Sequence, residues 1–494
     1  EIGKISHKAM TYQHSDPRRN EPKQDEDEGS SSASASASAN QIEWNFRWMS
    51  IFFGANHACV TSCLSLATAR FSSVGAWQSG ILYLCYTGSA IFGATAVVKR
   101  LGGRNALVTG MGLYCFYVAA FLLASLNPQY ERSIAYTGAA IGGIGAGFLW
   151  TAQGAYFTVT AKRHSEVLHR PLEKSTNEFS ALFAFYYLAL EVVLRSVSSL
   201  TGSIQAIDWT VIFTLYFIVA ILTTVGMTFV QNFHDATNSS VMVMEEHQST
   251  WWYKSTATVQ LLYQDKKMKY MIGLNATSGF ATAFLNSYVN GQVVPVVFEG
   301  TSMIGVLTAW LAIVAATFSV VFSSVAERYS KGAVLIWGSI CFVCATLPFV
   351  VYPTIRHWSR LLLVLVYTLL GMGRATFEST LKAVFADFFY YEKEGAFANI
   401  ILQNGAASAL GFMVSSGIAC SNELSSSSLL SPFCMEFTDG TFHNVLPFEL
   451  FLLVCAFLSI VGYIAAAHIH KEEEEEVARK SRQEATALLV AKPS

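Results

Sequence analysis

The chain has 494 residues, 52% of them hydrophobic and only 13% charged, with a formal net charge of −2. A soluble domain carries about a quarter charged residues, so this composition excludes most soluble enzyme classes. The near-neutral balance is silent on nucleic acid, but no basic stripe is present to hold one and none is expected as a partner.

Residues 1–43 read as a polar tail, with the acidic run Asp25-Glu26-Asp27-Glu28 followed by a Ser/Ala tract to Ala39. Too little apolar surface is present there to offset chain entropy, so disorder is expected. The tail has no apolar core of the signal-peptide kind. It opens on Glu1 rather than Met, which leaves room for sequence upstream.

Twelve apolar blocks follow, at 46–68, 77–98, 106–126, 133–157, 177–200, 209–230, 270–290, 303–325, 332–352, 361–385, 396–420 and 447–468. A helix rises about 1.5 Å per residue, so roughly 20 apolar residues cross the hydrocarbon core. Helices are the natural form there, because lipid satisfies no backbone group. The fold class expected is therefore all-α integral membrane, with about twelve transmembrane helices in two pseudo-repeated six-helix halves, 44–230 and 269–468. Residues 231–268 form a central loop. Within it, Trp251, Trp252 and Tyr253 ahead of Val259, Leu261 and Leu262 suggest a helix lying in the membrane interface.

Loop charge sets the orientation. One set of loops carries Lys99, Arg100, Arg104, Lys162, Arg163, Arg170, Lys174, Lys254, Lys266, Lys267, Lys269, Arg328, Lys331 and Lys393. The other carries only Arg70, Arg132, Arg356 and Arg360. Both termini are expected in the cytoplasm, including the polar tail 469–494. Cys420 and Cys434 bracket a loop on the opposite side, where a disulfide can form. Cys341 and Cys344 have redox spacing but sit in an apolar span without further ligands, so packing is their expected role. No cofactor or metal site is expected.

The halves echo each other. Lys99-Arg100-Leu101-Gly102-Gly103-Arg104 follows span two, and Glu327-Arg328-Tyr329-Ser330-Lys331-Gly332 follows span eight, with Gly110 and Gly338 just beyond. Gly145-Ala146-Gly147 in span four pairs with Gly371-Met372-Gly373 in span ten. On these loops the chain resembles the major facilitator superfamily, whose motif places an acid-Arg pair before a base. Glu327-Arg328 and Lys331 keep it, whereas the first copy keeps Arg100 and Arg104 but has Lys99 at the acid position. The resemblance implies that Arg100, Arg104, Glu327, Arg328 and Lys331 form gating loops.

Within that superfamily, the run Gly145-Ala146-Gly147-Phe148-Leu149-Trp150-Thr151-Ala152-Gln153-Gly154-Ala155-Tyr156 resembles the uncoordinated-93 family, also called ion-channel regulatory proteins. Gly279-Phe280 and Glu394-Gly395-Ala396-Phe397-Ala398 add to it, over roughly residues 44–468. Membership would imply a non-enzymatic regulator or trafficking partner of another membrane protein, such as a channel or receptor. The fold would equally admit a secondary transporter of a small solute or ion.

Charge inside the bilayer costs roughly 2.5–3.5 kcal/mol per group on insertion scales, so each such residue needs a reason. Arg374 and Glu378 in span ten are spaced i, i+4 on one helix face. They read either as a cavity pair for an anionic or zwitterionic solute or for protons, or as a self-neutralised structural pair. Helices one, four, seven and ten line the cavity in facilitator folds, and the resemblance places Arg374 and Glu378 there. Glu191 and Arg195 in span five share the spacing and read as structural. Asn56 and His57 lie mid-span in helix one, where the histidine serves either as a proton relay or as packing. Trp150 and Gln153 share a face of span four that the family reading turns inward. In the C-terminal tail, Glu484, Leu488 and Leu489 have the spacing of an acidic dileucine sorting signal for endosomal or vacuolar delivery, beside the plasma membrane as the alternative address.

Overall fold

A computed structural model describes residues 25–202, 208–232, 251–415, 418–419, 434–436 and 442–490. The chain builds twelve membrane-crossing rods. Helix α1 (Asp25–Phe92) supplies two of them, because it reverses at Ser72, whose backbone sits at φ 48°, ψ −124°. The reversal is tight: a Cβ on Gly75 would lie 2.2 Å from the Ala67 carbonyl oxygen, so only glycine fits. The second crossing continues past Gly93 into α2 (Ala94–Leu101). Then come α3 (Gly103–Leu126), α4 (Glu131–Val167), α5 (Leu172–Gly202) and α6 (Trp209–Thr228).

A short helix, α7 (Trp251–Gln264), stands where the sequence suggested one and leads into the second half. The seventh crossing is composite: α8 (Lys266–Ala283), a π-helical segment at Phe284–Val293, and α9 (Val294–Phe298). The remaining five are α10 (Met303–Arg328), α11 (Lys331–Val351), α12 (Arg360–Phe388), α13 (Lys393–Ser415) and α14 (Leu446–Val490). Among the described residues, ten helices are long and apolar enough to cross a membrane. Counting α1 twice and adding the divided seventh crossing gives twelve.

One expectation changes, and two segments read without one take regular structure. Residues 25–43, read as a disordered tail, continue α1 as helix. Alanine has the highest helix propensity, and Asp25 to Glu28 sit where a helix N-terminus favours negative charge. The polar C-terminal tail is likewise helical to Val490, with Lys471–Glu475 and Glu476–Lys480 pairs at i, i+4. The loop after α13 carries a small antiparallel sheet, β1 (Ile418–Ala419), β2 (Cys434–Glu436) and β3 (Phe442–Asn444), in the order β1-β3-β2. The expected disulfide cannot be placed: Cys420 lies outside the described residues, as does the Cys434 side chain.

Glycines set the internal repeat. Gly110 packs α3 on Leu149 of α4, and Gly338 packs α11 on Thr376 of α12. Gly143 faces the second crossing at Leu82, and Gly371 faces α10 at Leu311. Gly145 faces Leu113 of α3, and Gly373 faces Phe342 of α11. One constant sequence offset relates all three pairs, and it also relates Arg100 to Arg328 and Lys99 to Glu327. The structural register of the span-four echo is therefore Gly143/Gly145 with Gly371/Gly373, one step earlier than the Gly145/Gly147 pairing read from sequence.

Two close helix contacts join the halves. The second crossing of α1 lies on α13, where a Cβ on Gly80 would approach the Ala409 carbonyl to 3.1 Å. Helix α5 lies on α10, where a Cβ on Gly305 would stand 2.2 Å from the Arg195 carbonyl. The Val306 N–H donates to Ser199 Oγ at 2.8 Å in the same contact. The first crossing reaches the π segment through Thr68 Oγ1, which donates to the Asn286 carbonyl at 2.7 Å. The π segment is buried along its whole length, the setting in which such irregular backbone is tolerated in membranes.

Candidate functional site

The halves enclose a cavity of about 280 Å³ at mid-depth of the bundle. Its walls come from the first and second crossings, α3, α4, α5, the seventh crossing, α10 and α12. The repeat offset places equivalent positions on opposite walls: Ala146 opposite Arg374, Trp150 opposite Glu378, and Tyr83 opposite Leu311. Equivalent backbones thus present different chemistry. The first half supplies the aromatic rings, and each half supplies one glutamate and one arginine.

Four charged side chains form one network across the two halves. On α5, Arg195 Nη2 stands 2.7 Å from Glu191 Oε1. On α12, Arg374 donates from Nε to Glu378 Oε1 at 2.7 Å. Between the halves, Arg374 Nη1 and Nη2 fork onto Glu191 Oε1 and Oε2 at 3.1 and 3.2 Å. Bidentate guanidinium–carboxylate pairs are the strong class of ion pair. Glu191 is the hub, 1% exposed and held by two arginines. Arg195 also donates from Nη1 to Ser65 Oγ at 3.3 Å. The two i, i+4 pairs are therefore joined into one network through Arg374 and Glu191, and Glu191 and Arg195 also belong to the cavity wall.

His57 lines the same cavity among rings, with centroids 5.2 Å from Trp150, 5.4 Å from Tyr187 and 5.9 Å from Tyr114. Its Nδ1 is buried and has no hydrogen-bond partner among the described residues. Of the residues singled out from sequence, His57, Trp150, Arg374 and Glu378 meet here. Asn56 does not. Its amide turns away to α6, donating to the Ala220 carbonyl at 3.1 Å and Thr224 Oγ1 at 3.2 Å. Gln153, about a turn beyond Trp150 on α4, is also absent from the lining.

The loop residues take separate places. Arg104 donates to the Thr228 and Val230 carbonyls at 3.0 and 3.5 Å, capping the C-terminal end of α6. Lys331 pairs with Asp387 of α12 at 2.6 Å. Arg100 and Arg328 are exposed, and the Glu327 side chain lies outside the described residues. So do the side chains of Glu484, Leu488 and Leu489. Lys267, counted from sequence as a loop charge, is buried. It donates to the Phe388 carbonyl at 3.1 Å and pairs with Glu473, tying α8 and α12 to the terminal helix. Nearby, the Tyr391 hydroxyl donates to Asp265, and burial together with that acid pushes the phenol above its ordinary range.

Sequence reading passed over two features. The tyrosines Tyr83, Tyr86, Tyr114 and Tyr187 line the cavity, and a phenol in an apolar span needs a polar partner or a wet surface, a signal that was available. Glu449 is 1% exposed at the start of α14, and its Oε2 has no partner among the described residues. Among the described residues, no group of three or more His, Cys, Asp or Glu side chains is placed to hold a metal ion.

Comparison with known proteins adds the following. The family described as "Ion channel regulatory protein UNC-93" matches residues 72–435. Protein unc-93 homolog A of Homo sapiens is 23% identical over 395 residues, covering 72% of this chain and 82% of that protein. UNC93-like protein 3 of Arabidopsis thaliana is 26% identical over 403 residues, covering 76% and 81%. Among solved structures, the nucleoside transporter NupG superposes with a TM-score of 0.58 at 12% identity, covering 87% of this chain and 99% of that one. A D-xylose-proton symporter superposes with a TM-score of 0.58 at 14% identity, covering 86% and 96%. These likenesses identify the fold as that of major facilitator transporters.

Proposed function

The chain belongs to the UNC-93 family of ion channel regulatory proteins, and from that premise we propose that it regulates or traffics another membrane protein, a channel or receptor. The observation that carries this reading is the extent of the family match, which takes in most of both halves and the Glu191–Arg374 bridge between them. Lys99 supports it: a base stands in the first half where the repeat has Glu327, so the two gating loops are not chemically equivalent. The protein works by packing helix faces against its partner, with no catalytic step. Both termini lie in the cytoplasm, in keeping with the loop charges. The dileucine-like pattern at Glu484, Leu488 and Leu489 supports an endosomal or vacuolar address, with the plasma membrane as the alternative.

A second reading, carriage of a small solute or ion, draws support from the central cavity itself. One experiment separates the two: the full chain and its Arg374→Ala variant are purified from native cells in mild detergent and also reconstituted into vesicles. Regulation is expected to show as a channel or receptor co-purifying with both forms. Accumulation of a labelled solute that collapses in Arg374→Ala, with no co-purifying protein, would instead assign carriage. Tags at the two ends should both be reached from the cytosolic face, and a tag reached from the other face would reverse the orientation.

A further inference from the structure

The charge that the cavity offers to a visitor differs from the charge it contains. Two arginines and two glutamates line it, yet they are not equally reachable. Glu191 and Arg195 are 1% and 8% exposed and bonded to each other. Arg374, 22% exposed, directs its Nε and both Nη atoms at carboxylates. Glu378 is the accessible member at 49%, and among the described residues only its Oε1 is engaged, by Arg374 Nε. An anion would have to displace Glu191 or Glu378 from Arg374 before it met a free guanidinium. A cation meets a half-free carboxylate at once.

The walls point the same way. Tyr83, Tyr86, Tyr187 and Trp150 present rings to the space, and an aromatic face attracts a cation through its quadrupole. Beside them, His57 adds a further ring to the cavity wall, 5.2 Å from Trp150 and 5.4 Å from Tyr187 between centroids. A bare metal ion is a poor fit, since hard cations take six or more oxygen ligands and Glu378 is a single half-free carboxylate.

We propose that the central cavity binds a small organic ammonium, seated against the tyrosine and tryptophan faces with its charge on Glu378. The ligand is an amine with a compact apolar or aromatic body, small enough for about 280 Å³. This deepens the solute reading of the cavity, and it holds equally whether the bound amine is carried or switches a regulator. The sign of the ligand is the opposite of what Arg374 suggests in isolation.

The test uses three probes of one shape on the purified full chain in lipid nanodiscs: phenethylammonium, phenethyl alcohol and 3-phenylpropionate, followed by calorimetry. Phenethylammonium is expected to bind saturably and the other two at least about tenfold more weakly, the step that separates one decade of Kd. Glu378→Gln is expected to remove that preference, Glu378→Asp to keep part of it, and Tyr86→Leu to weaken the ammonium alone. Each variant is compared with the parent by melting temperature, so that loss of binding is not loss of fold. Equal or tighter binding of 3-phenylpropionate, an unchanged ammonium affinity in Glu378→Gln, or no binding of any probe would overturn the proposal. Flux assays on the same protein reconstituted into sealed vesicles keep the two ideas apart. Binding without flux sinks carriage and leaves the proposal standing, while flux of the carboxylate probe does the reverse.

Discussion

At the scale of single residues, burial separates two glutamates of the same network. Glu191 is almost fully buried and serves two guanidinium groups, so removing its charge leaves Arg195 without a carboxylate among the described residues and Arg374 with Glu378 alone. Breaking a buried pair from one side typically costs about 3–5 kcal/mol. Glu378 is half exposed, and solvent screening limits its pair with Arg374 to under about 1 kcal/mol. Glu191→Gln is therefore expected to lower the melting temperature of the detergent-solubilised protein sharply, and Glu378→Gln to leave it within a degree or two of the parent, roughly as that difference implies. Sequence showed each i, i+4 pair because that spacing is written along one helix. It could not show Arg374 reaching Glu191, since that contact depends on how α5 and α12 face each other across the halves. Asn56 was misplaced for the same reason: a mid-span polar residue has two sides to turn to, and α6 offered it a carbonyl.

At the scale of elements, the chain's irregularities do the positioning. Ser72 sits at φ 48° to reverse α1, a region that non-glycine residues enter at a cost. Ser72→Gly is expected to be neutral or to stabilise by up to about 1 kcal/mol, and Ser72→Val to cost about 1–3 kcal/mol, both read by thermal melting. Gly305 is a different constraint, because a Cβ there meets the Arg195 backbone carbonyl as well as the Ser198 and Ser199 hydroxyls. Gly305→Leu should push α10 off α5 and cost about 1–3 kcal/mol. Gly112, with nothing near its Cβ position, should accept Ala without loss. Eleven of the crossings were legible because apolar length is itself the signal. The seventh was legible in place but not in form or full extent: it runs on to Phe298 through a π segment in which Asn286 and Gly291 meet Thr68 and Asn290 meets Tyr367. The helical part of the N-terminal tail escaped because polarity was read as disorder, while the C-terminal tail, read only as polar, extends α14 with i, i+4 charge pairs.

At the scale of the whole molecule, two halves built on one glycine register have diverged in what they show the centre. The repeat offset that carries Gly110 to Gly338 also carries Trp150 to Glu378, so symmetry of backbone delivers asymmetry of chemistry. That asymmetry lets one half hold the other: the hub acid stands on α5 and the forked base on α12, so the i, i+4 pair of each helix is tied to that of the other. The measurement that bears on this most directly is a double-mutant cycle on the full chain, with melting temperatures of Glu191→Gln, Arg374→Gln and the two combined. If the halves are joined through this pair, the combined variant loses clearly less than the sum of the single losses. Losses that simply add would mean the two side chains do not meet, and the bridge between the halves would have to be abandoned.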